Sequence, residues 1–118
     1  MRPLRQLAAA RHDTLAAIDG QRWAEALVSA RDCCALAEKT LPPAAPARGV
    51  EWLRLAKLCA HEGRIAEAVE GWRRAKNVLA ISHGPCSRLV HALEEDLRAA
   101  QAEQAATGAD GDEDDTLL

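Results

Sequence analysis

Residues 49–82, GVEWLRLAKLCAHEGRIAEAVEGWRRAKNVLAIS, carry the pattern that most restricts the fold of this chain. Large and small side chains alternate at helical spacing on both sides of Gly63. Trp52 precedes the large–small pair Leu55 and Ala56, and Ile65, Ala68, Trp72 and Ala75 continue the theme beyond the glycine. Methyl-sized residues let two helices approach closely, and the indoles of Trp52 and Trp72 fill the flanks. The segment therefore predicts a hairpin of helices over about 49–62 and 65–82. The theme recurs upstream. Trp23-Ala24-Glu25-Ala26 matches Ile65-Ala66-Glu67-Ala68, Gln21 faces Gly63, and Leu41-Pro42-Pro43 faces His83-Gly84-Pro85, all at the 42-residue offset that separates Ala26 from Ala68.

The remaining segments predict three more helices. One runs over about 4–19 with Leu4, Leu7, Ala8, Leu15 and Ile18 on its apolar side, ended by Gly20. Another covers 22–40 with Trp23, Ala26, Leu27, Ala30, Cys34 and Ala37 inward. Residues 41–49 read as a linker, because three prolines interrupt any helix. His83-Gly84-Pro85 reads as a stop. A fifth helix begins near Cys86 or Ser87, with Ser87 as N-cap and Leu89, Val90, Leu93, Leu97 and Ala100 on its apolar side. Glu94, Glu95, Arg98 and Gln101 are its candidate polar outer face. As it lacks a partner helix, its apolar side leaves oligomerisation open. The chain has no Phe or Tyr, and no segment alternates with period two. The expectation is an all-α helical-hairpin solenoid over 1–106, with Trp23, Ala26, Trp52, Leu55, Ala56, Ala68, Trp72 and Ala75 in its core. A disordered acidic tail is expected over 107–118.

Charge and cysteine usage narrow the function. The net charge is −3, but residues 110–115 (DGDEDD) contribute five acids and no base. A near-neutral body with an acidic tail is not a nucleic-acid binder. Cys33, Cys34, Cys59 and Cys86 form no CxxC pair and no zinc spacing with His61 or His83, so no metal and no cofactor are expected. No long apolar run and no signal peptide are recognisable. Reduced thiols then point to the cytoplasm or the nucleus.

Arg54, Lys57 and His61 stand at i, i+3 and i+7 on one helix face with Val50, Leu53 and Ala60, and Arg11 of the first helix can join them. Guanidinium and ammonium groups so placed suit an acidic peptide or a chain-terminal carboxylate. Reversing Arg54 and Lys57 together to Glu is expected to abolish such binding and leave helicity intact. The competing reading is a solvated stripe paired internally with Glu95 or Asp96. No nucleophile with a neighbouring base and no phosphate loop occurs, so no catalytic residue is assigned. Thr116-Leu117-Leu118 has the shape of a PDZ ligand, and Glu113 to Leu118 that of a dileucine sorting signal.

On these residues the chain resembles tetratricopeptide (TPR) repeats, which are scaffolds for binding peptides and proteins. Residues 15–100 further resemble the C-terminal helical domain of the SET-and-MYND protein-lysine methyltransferases. The carrying features are Trp52 to Leu58, the alanine-rich Ala66 to Ala80, and the turn Ile81-Ser82-His83-Gly84. That resemblance implies a helical domain covering a substrate cleft and making chaperone and partner contacts. It implies no activity for this chain alone. The family's catalytic tyrosine is absent, its Asn-His motif is not met because Val78 follows Asn77, and its zinc cysteines have no counterpart. Kinesin light chain repeats share the 42-residue period, but their His-Pro segment is missing at Gly84-Pro85-Cys86-Ser87. The resulting expectation is a non-catalytic interaction module binding a protein or an acidic peptide, a chaperone C-terminal tail being one candidate. The alternative is an accessory region of a SET-and-MYND methyltransferase separated from its catalytic parts.

Overall fold

The computed structural model describes residues 3–107, which form five α-helices and no strand. They are α1 (Pro3–Asp19), α2 (Trp23–Thr40), α3 (Pro46–His61), α4 (Ile65–His83) and α5 (Arg88–Thr107). Residues 108–118 lie outside the described residues, and with them the expected disordered tail and its two candidate motifs. Each helix packs on the next in the chain, and connections of three to five residues make neighbours antiparallel. The ends of α1, α3 and α5 and the starts of α2 and α4 therefore share one end of the stack.

The α1–α2 and α3–α4 turns are built alike. Arg22 N–H donates to Ala17 O at 2.8 Å and Gln21 N–H to Ile18 O at 3.0 Å. Arg64 N–H donates to Cys59 O at 2.8 Å and Gly63 N–H to Ala60 O at 3.2 Å. This is the Schellman ending, which places one residue in the left-handed region. Gly63 takes that place at φ +79°, and Gln21, not Gly20, takes it in the first turn at φ +57°. Arg22 (φ −90°, ψ 77°) and Arg64 (φ −89°, ψ 73°) then lead into the second helices with matching backbones.

α3 starts at Pro46, three residues before the expected boundary. A proline in the first helical turn loses no hydrogen bond, so the last proline of the linker opens the helix. Gly49 thus lies inside α3, where a Cβ would sit 2.6 Å from Leu79 Cγ of α4. Gly71 does the same from α4, where a Cβ would come within 3.0 Å of Ala56 Cβ. Ala56, Ala68, Ala75, Leu79 and Trp72 fill this crossing.

α1 turns a different side inward than its leucines suggest. Leu4 and Leu15 are 60% and 48% exposed, while Leu7, Thr14 and Ala17 are buried. Thr14 can enter because its hydroxyl donates to Ala10 O at 2.8 Å and lies 3.5 Å from Cys33 Sγ. Ser87 caps α5, its Oγ accepting from Val90 N–H at 3.2 Å. Val90, Leu93, Leu97 and Ala100 are buried within the main core, so the apolar side of α5 is closed. Burying each larger aliphatic contributes about 1.5–3 kcal/mol. Glu95, Arg98 and Gln101 face solvent, but Glu94 turns toward α4 and pairs with Lys76 at 3.3 Å.

Candidate functional site

A buried carboxylate organises the basic face. Glu51 of α3 is 2% exposed. Its Oε2 accepts from Arg11 Nε of α1 at 2.6 Å, and its Oε1 from Arg54 Nη1 one turn on at 2.7 Å. The expected internal partners Glu95 and Asp96 are therefore not the ones Arg54 uses. Two guanidiniums against one carboxylate leave one surplus positive charge at this cluster. Removing Arg54 would leave Oε1 of the buried carboxylate without its partner while Arg11 stays on Oε2, at a cost of about 1.5–3 kcal/mol. The expected double reversal of Arg54 and Lys57, with helicity intact, therefore bears on stability as well as on binding.

Beside the cluster lies a cleft of about 260 Å³, lined by Ile18, Trp23, Arg54, Lys57, Leu58 and His61. Three of the four residues expected to bind, Arg54, Lys57 and His61, meet here; Arg11 stands outside the lining and joins only through Glu51. The end of α1 gives Ile18, the first residue of α2 gives Trp23, and the last two turns of α3 give the rest. Ile18, Trp23 and Leu58 make an apolar floor. The Trp23 and His61 rings stand 4.4 Å apart at 40°. His61 Nδ1 lies 2.9 Å from Glu62 Oε2. Lys57 is exposed and has no ion pair among the described residues.

A second cavity of about 310 Å³ lies between α2, α3 and α4, with Cys34 and Leu55 among its lining residues and Trp52 at its side. Its charges are already matched. Arg31 grips Glu67 with two bonds of 2.8 and 2.9 Å, which hold the Glu67 carboxyl below its ordinary range. Arg74 does the same to Glu70 through a 2.9 Å bond, and its guanidinium lies 4.8 Å from the Trp52 ring centre. Trp52 Nε1 donates to Glu38 Oε2 at 3.1 Å. The first cleft is thus the one with charge to offer.

The indoles divide by role. Trp72 is buried, whereas Trp23 and Trp52 are half-buried against the core with one side in a cavity. The cysteines offer no nucleophile at these cavities. Burial pushes the Cys59 thiol up to about 12 and raises Cys33 and Cys34 as well. Cys86 is free and exposed. Among the described residues no cluster of His, Cys, Asp or Glu could hold a metal, and no helix is long and apolar enough to cross a membrane.

Sequence reasoning missed Glu51 and the cleft floor. The spacing of Glu51 and Arg54 is a helical ion-pair signal, but it gives no sign of burial. Trp23 reads as core because its repeat position is a core position. A scan against family models and searches of curated proteins and of solved structures find no match for this chain.

Proposed function

We propose that this chain is a non-catalytic, TPR-like interaction module. It binds an acidic peptide with neighbouring aliphatic side chains in the cleft at the α1–α2 and α3 ends. The reading is supported by one juxtaposition: Lys57, without an ion pair among the described residues, and the surplus charge of the Arg11–Glu51–Arg54 cluster rim an apolar floor of Ile18, Trp23 and Leu58. Carboxylates would meet the rim, and an aliphatic side chain would displace water from the floor. Lys57 is the residue to test, because it carries charge without holding up the fold.

The test is anisotropy of a labelled peptide of alternating Asp and Glu ending in two leucines, titrated with the full chain. Lys57→Glu is expected to weaken binding about tenfold, as reversal of one exposed charge does when it removes one favourable pair and adds one repulsion. Equal affinity for wild type and Lys57→Glu removes the cleft from the account. The accessory-region reading shares the absence of chemistry here. Methyl transfer from labelled S-adenosylmethionine by this chain alone contradicts both readings.

A further inference from the structure

We infer that the chain's own acidic segment, residues 108–118, docks in the Trp23–Lys57 cleft and competes there with external acidic peptides. The inference rests on the binding reading of that cleft.

Three observations converge on it. The segment and the cleft have opposite charge: residues 110–115 hold five acids and no base, while the rim carries Lys57 and the surplus charge of the Arg11–Glu51–Arg54 cluster. The position is right as well. α5 ends at Thr107 on the same end of the stack as Ile18, Trp23 and His61, because the five helices alternate in direction. Two helix-to-helix steps separate α5 from α3, about 20 Å, and the six to eight residues from Thr107 to Glu113, Asp114 and Asp115 span up to about 20–29 Å when extended. The order of residues also fits. Within the cleft, Arg54 and Lys57 stand on α3, the helix nearer to α5 in the stack, and Ile18 and Trp23 on the farther α1 and α2. The segment presents its acids first and Leu117 and Leu118 afterwards. Carboxylates thus come level with the cations, and leucines with the apolar floor.

Tethering makes even weak contacts count. A short linker holds its ligand at an effective concentration of about 1 mM. A segment that binds with a dissociation constant of about 0.1 mM would then occupy the cleft about nine-tenths of the time and weaken an external competitor about tenfold. Much of the attraction is between exposed charges, so salt screens it.

The experiment compares the full wild-type chain with a full-length variant carrying Asp110→Asn, Asp112→Asn, Glu113→Gln, Asp114→Asn and Asp115→Asn. Two-dimensional ¹H–¹⁵N spectra are recorded at about 20 mM and about 500 mM salt, conditions that change the screening length severalfold. The Trp23 indole and Lys57 amide signals are expected to differ between the two chains at low salt and to converge at high salt. They are expected not to change on dilution of wild type. A synthetic peptide of residues 108–118 is expected to bind the neutralised chain about tenfold more tightly than wild type. Identical cleft signals and equal peptide affinity in the two chains would overturn the docking and leave the cleft as a binding site. Peptide binding to neither chain would overturn the cleft reading and the docking with it. Cleft signals that shift on dilution would show the segment docking between molecules, which also overturns the inference as stated.

Discussion

The two helical hairpins solve one packing problem with opposite residues. At the 42-residue offset, Leu7 of α1 corresponds to Gly49 of α3, and Ala37 of α2 to Leu79 of α4. In the first hairpin, Leu7 packs in a cluster with Cys33 and Ala37. In the second, Leu79 occupies the space that a side chain on residue 49 would need. The large side chain has changed helices while the pair keeps one large and one small member. Thr14 and Cys33 similarly stand where the second hairpin has Ala56 and Ala75. Trp72 corresponds to Ala30, so the indole deep in the core belongs to the second hairpin alone. Complementarity across the crossing matters more than the identity of either residue. The second hairpin lies between α2 and α5, yet both hairpins expose aliphatic side chains, Leu4, Leu15 and Val28 in the first and Val50 and Ile81 in the second.

The largest effect is expected at the buried indole of the second hairpin. Trp72→Ala makes the second hairpin resemble the first at that site and should destabilise the chain by about 3–5 kcal/mol in denaturant titration. A loss below about 1 kcal/mol would mean that the indole is not the keystone of this core. Arg54→Glu should cost less, about 1.5–3 kcal/mol, by removing one of the two partners of Glu51, whereas Lys57→Glu should change stability by less than about 0.5 kcal/mol. Equal effects would contradict the difference drawn between them.

A smaller effect sharpens the exchange of sizes. Gly49→Ala should destabilise by about 1–3 kcal/mol through overpacking against Leu79. Combining it with Leu79→Ala should recover part of that cost, and a double-mutant cycle reads the coupling directly. Strict additivity would show that the two residues do not share space. The smallest effect concerns the turns. Gln21→Gly should raise stability by about 1 kcal/mol, because a side chain at left-handed φ is strained, and Gly63→Gln should lower it by a similar amount.

The pairs around the second cavity add a pH dependence. The hydrogen bond from Arg31 lowers the Glu67 carboxyl relative to its unfolded value. Its contribution is therefore present above the unfolded value of about 4.3 and is lost as pH falls through the folded one. Arg31→Ala should flatten the acid side of a Tm-against-pH curve; an unchanged slope would show that this pair carries no linkage.

Helices are legible in this sequence wherever Ala and Leu recur at helical spacing around a Gly or Pro stop, as at Gly63 and His83-Gly84-Pro85. The offset of 42 residues likewise anticipates the paired turns at Gln21 and Gly63. What escapes is decided by distant partners. Gly49 looks like linker because only Leu79, thirty residues on, makes its missing side chain necessary. Leu4 and Leu15 look like core because helical spacing alone cannot tell which side of α1 meets α2. Glu51 looks like a surface acid because its burial depends on Arg11, 40 residues away in sequence. The cations of the cleft are legible as a shared face of α3, but its floor is not, since Ile18 and Trp23 come from other helices.

The most direct test of the central claim follows the three indole N–H signals as an acidic, leucine-ended peptide is added to the full chain. Trp23 lines the charged cleft, Trp52 the second cavity, and Trp72 the core. Trp23 is expected to move in a saturable way while Trp52 and Trp72 stay in place. Movement of Trp52 with Trp23 unmoved would contradict the claim.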